Sequence, residues 1–114
     1  MPSLIQSHAW QALQTHFEQV RDQHMRELFD SDPRRFEKFS IRLNDILFDY
    51  SKQRVTDDTM SKLFDLAIQA DVAGWIEKMF SAEKINHTEH RAALHIALRN
   101  NSNRPIMLDG KDVM

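Results

Sequence analysis

Residues 7–33, SHAWQALQTHFEQVRDQHMRELFDSDP, decide the fold class. Trp10, Leu13, Phe17, Val20 and Leu28 recur mostly at three- and four-residue steps, with His24 in the gap, which is the apolar stripe of an amphipathic helix. Ser7 stands where an N-cap belongs. Pro33 ends the helix near Asp30-Ser31-Asp32, because the residue before a proline is driven out of the α region. The spacing predicts one long helix from Ala9 to about Leu28. Asp32 then caps a short helix with Pro33 at its first position, where the missing N–H costs nothing.

Downstream, Phe39-Ser40-Ile41-Arg42-Leu43 and Ile46-Leu47-Phe48-Asp49-Tyr50 alternate with period two across Asn44-Asp45. Asn and Asp tolerate left-handed backbone, so the segment reads as a β-hairpin. Thr56-Asp57-Asp58 starts a second substantial helix, whose Met60, Leu63, Phe64, Ala67 and Ile68 keep helical spacing to about Ala70. Asp71 caps a further piece carrying Val72, Trp75, Ile76, Met79 and Phe80, weakened by roughly 1 kcal/mol at Gly74. Thr88 caps a last helix, Glu89 to Arg99, with Ala93, Leu94, Ala97 and Leu98 as its apolar stripe. The terminal run IMLDGKDVM carries an Asp-Gly turn signal and is expected to stop before another element forms. The fold class is therefore mainly α with one short β-hairpin. Residues 1–114 show no repeat, linker or internal boundary.

Composition narrows the function. Of 114 residues, 41% are hydrophobic and 28% are charged, with 15 Lys+Arg against 17 Asp+Glu. A chain of that size holds one core, and a net charge of −2 lacks the basic footprint of nucleic-acid binding. The absence of Cys excludes a disulfide framework, a thiolate nucleophile and a Cys-based zinc site, and fits a cytoplasmic setting. The N-terminal residues contain neither a signal peptide nor a membrane span, so no membrane partner is expected.

No catalytic, substrate-binding or metal-binding residue emerges from the spacings, and no cofactor is called for. His87, His90 and His95 do not fit H-E-x-x-H, and HTEH is one residue short of the inverted form. His8, His16 and His24 are eight apart, and eight residues rotate a helix by about 80°, so they do not converge; they read as helix-surface or core-edge residues. Asp49 with Tyr50 and Glu83 with Lys84 are ordinary neighbours. Gly74 and Gly110 build no phosphate loop. Arg34, Arg35, Lys38 and Arg42 form a basic stretch that Glu37 interrupts, the usual look of a solvated helix face. Trp10, Phe17, Phe64, Trp75 and Phe80 serve as core or interface anchors.

One stretch is more specific. Residues 79–100, MFSAEKINHTEHRAALHIALRN, resemble the N-terminal signature of the phosphoglucose isomerase (glucose-6-phosphate isomerase) family, of the form M-F-x-G-x-K-I-N-x-T-E-x-R-A-x-L-H-x-A-L-R-N. Upstream, LFDSDPRRFEKFS and the DYSK segment fall in the family's order, and GKDVM continues it downstream. Ala82 stands where the family usually places glycine. The resemblance implies an enzyme of glycolysis and gluconeogenesis, acting as a homodimer, that interconverts glucose 6-phosphate and fructose 6-phosphate. Ring opening is assisted by a His and a Lys, and a Glu moves a proton between C2 and C1 through a cis-enediol. It also implies that the sugar-isomerase α/β domains with those residues lie beyond Met114, leaving residues 1–114 as an inactive N-terminal helical segment whose partner is the rest of its own chain. Lys84, Asn86, Thr88, Glu89 and Arg91 are expected to cap a helix and fix the loop before it. A stand-alone helical interaction module, with the Trp10 to Leu28 helix as its binding face, would explain the composition but not the motif.

Overall fold

The computed structural model describes residues 3–114, which divide into two compact units, one through Gln69 and one from Ala70 onward. The first holds helix α1 (His8–Val20) behind a single 3-10 turn, α2 (Met25–Ser31), α3 (Arg35–Lys38), strands β1 (Ser40–Leu43) and β2 (Ile46–Asp49), and α4 (Asp57–Gln69). The second holds α5 (Val72–Phe80), α6 (His95–Leu98), β3 (Met107–Leu108) and β4 (Lys111–Asp112). The mainly α reading with a short hairpin holds.

Ser7 caps α1 as expected, its Oγ accepting from the Trp10 N–H at 3.2 Å. The predicted single helix to Leu28 is instead two. His24 is the reason: its Nδ1 accepts the Arg26 N–H at 3.1 Å, and the Glu27 carboxylate accepts the His24 N–H, closing a capping box. The Arg21 carbonyl, which a continuing helix would have offered to Met25, accepts from Arg54 Nη1 at 2.9 Å. At the other end of α1, the Gln69 Oε1 accepts the orphan Ala9 N–H at 2.8 Å. α1 is thus held at both termini by side chains distant in sequence.

α1 packs on α4. The buried face of α1 runs through Ala9 and His16, whereas Phe17 is 58% exposed, so the packed face is rotated away from the stripe read in the sequence. The start of α4 is as predicted: Thr56 and Thr59 exchange bonds, each hydroxyl accepting the other's N–H at 3.2 and 3.0 Å. Asp32 also keeps its capping role, accepting the Arg34 N–H at 3.1 Å, although regular helix begins only at Arg35.

The hairpin pairs Ser40 with Asp49, Ile41 with Phe48, Arg42 with Leu47 and Leu43 with Ile46, turning at Asn44 in left-handed backbone (φ 52°). Directly opposed residues share a face. One face is therefore Ile41, Leu43, Ile46 and Phe48, exposed by 57, 66, 67 and 61%.

In the second unit Asp71 caps α5 as predicted, accepting the Gly74 N–H at 3.2 Å. A Cβ on Gly74 would collide with that carboxylate, so this glycine makes room for the cap. α5 ends in a Schellman motif: Glu83 N–H bonds the Lys78 carbonyl at 3.0 Å and Ala82 N–H that of Met79 at 3.3 Å. Ala82 occupies the left-handed position of this motif at φ 60°, where glycine is the usual residue.

The predicted helix from Thr88 is reduced to the single turn of α6. Asn86 takes the place of the expected cap: its Oδ1 accepts both the Thr88 hydroxyl (2.9 Å) and the Glu89 N–H (3.2 Å). Asn86 and Arg91 exchange both backbone bonds, at 3.0 and 3.2 Å, and His90 is left-handed (φ 54°). The terminal run, expected to form no element, folds into β3 and β4 about Asp109-Gly110, whose φ values of 50° and 78° suit a tight two-residue hairpin turn. Among the described residues, no helix is long and apolar enough to cross a membrane.

Candidate functional site

Two buried polar assemblies lie in the first unit, and both tie elements together. In the first, His16 on α1 is 5% exposed, a correction to the surface or core-edge reading. Its Nε2 lies 2.6 Å from the Thr59 hydroxyl on α4. Its Nδ1 is 3.2 Å from an Asp58 carboxylate oxygen, off the line of a good hydrogen bond. Hydroxyl, imidazole and carboxylate in this order are the parts of an activated nucleophile. Here the oxygen is already filled. With the ring proton on Nδ1, the Thr59 hydroxyl donates to His16 while accepting the Thr56 N–H and the Thr56 hydroxyl. An oxygen with both lone pairs engaged and 9% residue exposure can attack nothing, so the trio is a clamp between α1 and α4. Asp58 is held below the ordinary carboxylate range, chiefly by its hydrogen bond with Lys62.

The second assembly centres on Arg35, 2% exposed at the start of α3. Its guanidinium donates to the carbonyls of Ser51 (Nη2 2.9 Å, Nε 3.2 Å), Gln53 (2.9 Å) and Val55 (2.7 Å). It also lies over the Phe39 ring at 4.8 Å and the Phe29 ring at 5.4 Å. This one side chain holds the whole link between the hairpin and α4. Asp49 supports it from the hairpin end by accepting the Ser51 N–H at 2.9 Å, and hydrogen bonding to Ser51 keeps the Asp49 carboxyl below its usual range.

The basic stretch is not a patch. Arg34 is paired with Glu37, Arg35 is buried, and Lys38 sits between Asp32 and Asp57, which raise its pKa while it lowers that of Asp32. Arg42 lies apart on the hairpin. Lys38 and Arg35 also line a 150 Å³ recess with Asp32, Asp57 and Thr56, where two carboxylates face cations that are already engaged.

The histidines stay dispersed. His24 caps α2, His87 meets Trp75 edge-on with centroids 5.4 Å apart, and His8, His90 and His95 are exposed. Among the described residues, no group of three or more His, Cys, Asp or Glu could hold a metal. The neighbours Glu83 and Lys84 contact Ser81 and Asp109, and Tyr50 stacks on Phe48 at 5.4 Å, so neither neighbour pair forms an acid and base. Asn86, Thr88, Glu89 and Arg91, expected to cap a helix, instead lie in a closed loop, with Asn86 Nδ2 donating to Glu89 at 3.2 Å.

The aromatic anchors face outward. Phe17, Phe64 and Phe80 are exposed by 58, 60 and 63%, and Trp10, Leu13 and Phe17 line an open 460 Å³ groove on α1. Sequence reasoning missed Arg35 and His16 as the pivots. Only the i, i+3 relation of Thr56 to Thr59 was a local signal, since Arg35 bonds residues 16 to 20 positions away and His16 one 43 away. A family model described as phosphoglucose isomerase matches residues 49–114, taking in the 79–100 motif and the Asn86 loop.

Proposed function

The chain belongs to the phosphoglucose isomerase family, and from that premise we propose that it forms the N-terminal helical segment of a cytoplasmic, homodimeric enzyme that interconverts glucose 6-phosphate and fructose 6-phosphate. Within that enzyme residues 1–114 supply structure and no catalytic group, and further sugar-isomerase domains of the same polypeptide supply the chemistry. The family match over residues 49–114 carries the reading.

The side chains support the division of labour. Moving a proton between C2 and C1 of a sugar phosphate needs a base within hydrogen-bond reach of the substrate, in a site that also binds the phosphate and excludes water. In the described residues the buried Thr59 hydroxyl is filled by Thr56 and by the His16 Nε2 that would have to activate it, and the buried guanidinium is taken up by carbonyls. The exposed hairpin face and the outward aromatics are surfaces that a larger body would cover, since closed monomers rarely leave apolar patches above roughly 300–600 Å² open.

The test is a coupled assay for fructose 6-phosphate with the purified chain, beside the same chain extended into the sugar-isomerase domains. Turnover is expected only from the extended protein. The isolated chain is expected to self-associate or to bind a hydrophobic dye. Turnover by the chain alone, after removal of trace host isomerase, would overturn the division of roles. A dye-silent monomer at high concentration would overturn the covered-surface reading.

A further inference from the structure

Among the described residues His16 is the one buried histidine. Its Nδ1 is sealed from solvent, and its Nε2 meets the buried Thr59 hydroxyl, so the ring can trade protons with water only through other groups. Thr59 Oγ1 in turn lies 3.0 Å from the hydroxyl of Thr56, which is half-buried at the entry to α4. Thr56, Thr59 and His16 Nε2 therefore stand in file, with gaps of 3.0 and 2.6 Å that are both of hydrogen-bond length.

The file has two complete bonding patterns. With the ring neutral and its proton on Nδ1, the Thr56 hydroxyl donates to Thr59 and the Thr59 hydroxyl donates to Nε2. With the ring charged, Nε2–H donates to Thr59 Oγ1, and the Thr59 hydroxyl donates to Thr56 Oγ1. The backbone bonds survive this reversal: Thr59 Oγ1 still accepts the Thr56 N–H at 3.0 Å, and Thr56 Oγ1 still accepts the Thr59 N–H at 3.2 Å. Neither oxygen accepts more than two bonds in either pattern. One proton crosses each gap. A proton from water joins Thr56 Oγ1, the Thr56 proton passes to Thr59 Oγ1, and the Thr59 proton passes to Nε2. Both oxygens end as neutral hydroxyls, and the added charge rests on the imidazole.

The surroundings accept that charge. Asp58 Oδ2 lies 3.2 Å from Nδ1, while the Lys62 ammonium is held on the other oxygen of Asp58 at 2.5 Å. Of the remaining charges on α4, Asp57 is paired with Lys38, and Asp65 lies beside His8 and Ala12 at the start of α1. The 3-10 turn packed on α1, Leu4–Gln6, carries no titratable side chain. We propose that Thr56 and Thr59 form a proton wire to His16, and that the joint between α1 and α4 takes up a proton by reversing this file, with the imidazolium paired to Asp58 and the helices still joined. The device stands on residues of this chain alone and does not depend on the catalytic reading.

The experiment follows the His16 ring nitrogens by NMR in the chain 15N-labelled at histidine, from pH 8 down to the onset of unfolding, with His16 assigned through its contact with Thr59. At high pH the proton is expected on Nδ1, with Nε2 bare. On acidification Nε2 should gain a proton while the amide signals of α1 and α4 remain those of the folded chain. Thr56→Val removes the acceptor of the reversed Thr59 hydroxyl and should lower the proton affinity of His16 about fivefold, the worth of one hydrogen bond. Thr56→Ser should restore it. Asp58→Asn should lower it about tenfold. A role for Thr56 in capping alone would change stability and leave the titration in place. A proton on Nε2 in the neutral ring, a ring that stays neutral until the chain unfolds, or a proton affinity unchanged in Thr56→Val or in Asp58→Asn would each overturn the proposal. If Thr56→Val does not fold, the parent's tautomer and the Asp58→Asn titration decide.

Discussion

Replacing Arg35 should do more damage than any other single change in the first unit. Its guanidinium makes four hydrogen bonds to three carbonyls and is nearly sealed from solvent. The three carbonyls are not equivalent. Ser51 is itself 2% exposed, so water cannot replace the lost donor, whereas Gln53 is exposed and its carbonyl can be rehydrated. An orphaned buried carbonyl costs about 1–3 kcal/mol, and the bonds to a charged donor at the other two contribute about 1.5 kcal/mol or more between them. Loss of the stacking on Phe39 adds about 1 kcal/mol. Arg35→Ala should therefore cost roughly 4 kcal/mol against a total stability of about 5–15 kcal/mol. With an m-value near 1.5 kcal/mol per molar, the urea midpoint falls by roughly 2–3 M. Arg35→Lys keeps the charge but reaches fewer acceptors and should recover about half. Arg35→Met fills the space without donors and separates hydrogen bonding from packing. If Arg35→Met were as stable as the parent, or Arg35→Ala fell within about 1 kcal/mol of it, the carbonyl clamp would not be what holds this link.

Two further outcomes follow from local geometry. Ala82→Gly relieves left-handed strain of about 1–2 kcal/mol at the end of α5, partly offset by the freer unfolded chain at about 0.4–1 kcal/mol and by the loss of a buried methyl. The net gain should be about 0.5 kcal/mol, read in calorimetry as a melting temperature raised by roughly 2–3 °C, and a fall would contradict the Schellman assignment. Asp32, Asp49 and Asp58 are all depressed in the folded state, by Lys38, Ser51 and Lys62 respectively. Their contribution is therefore present above the unfolded carboxyl value near 3.9 and is lost as pH falls through the folded values. Urea midpoints should hold between pH 7 and 5 and drop below about pH 4, and Asp49→Asn, which keeps an acceptor for the Ser51 N–H but cannot titrate, should flatten part of that drop.

What the sequence determined by itself was local. Caps at Ser7, Thr56 and Asp71, the alternation across Asn44-Asp45 and the proline at residue 33 each act within about four residues, and each stands in the structure. The motif of residues 79–100 named the family because a long ordered string of residue identities is specific without any geometry. The tertiary structure decided the features that depend on distant partners. α1 stops at Val20, where His24 caps a new helix and Arg54, 33 residues away, donates to the Arg21 carbonyl. Hydrophobic periodicity cannot register a competing donor of that kind. The long helix expected from Thr88 was lost to the Asn86 side chain, which offers the backbone a better local alternative than a helical turn. His16 and Arg35 read as polar surface residues in a sequence, and only packing shows them as the buried centres of their unit. Their partners are a hydroxyl and three carbonyls, and carbonyls are present at every residue, so no side-chain pattern marks the ones that an arginine will find.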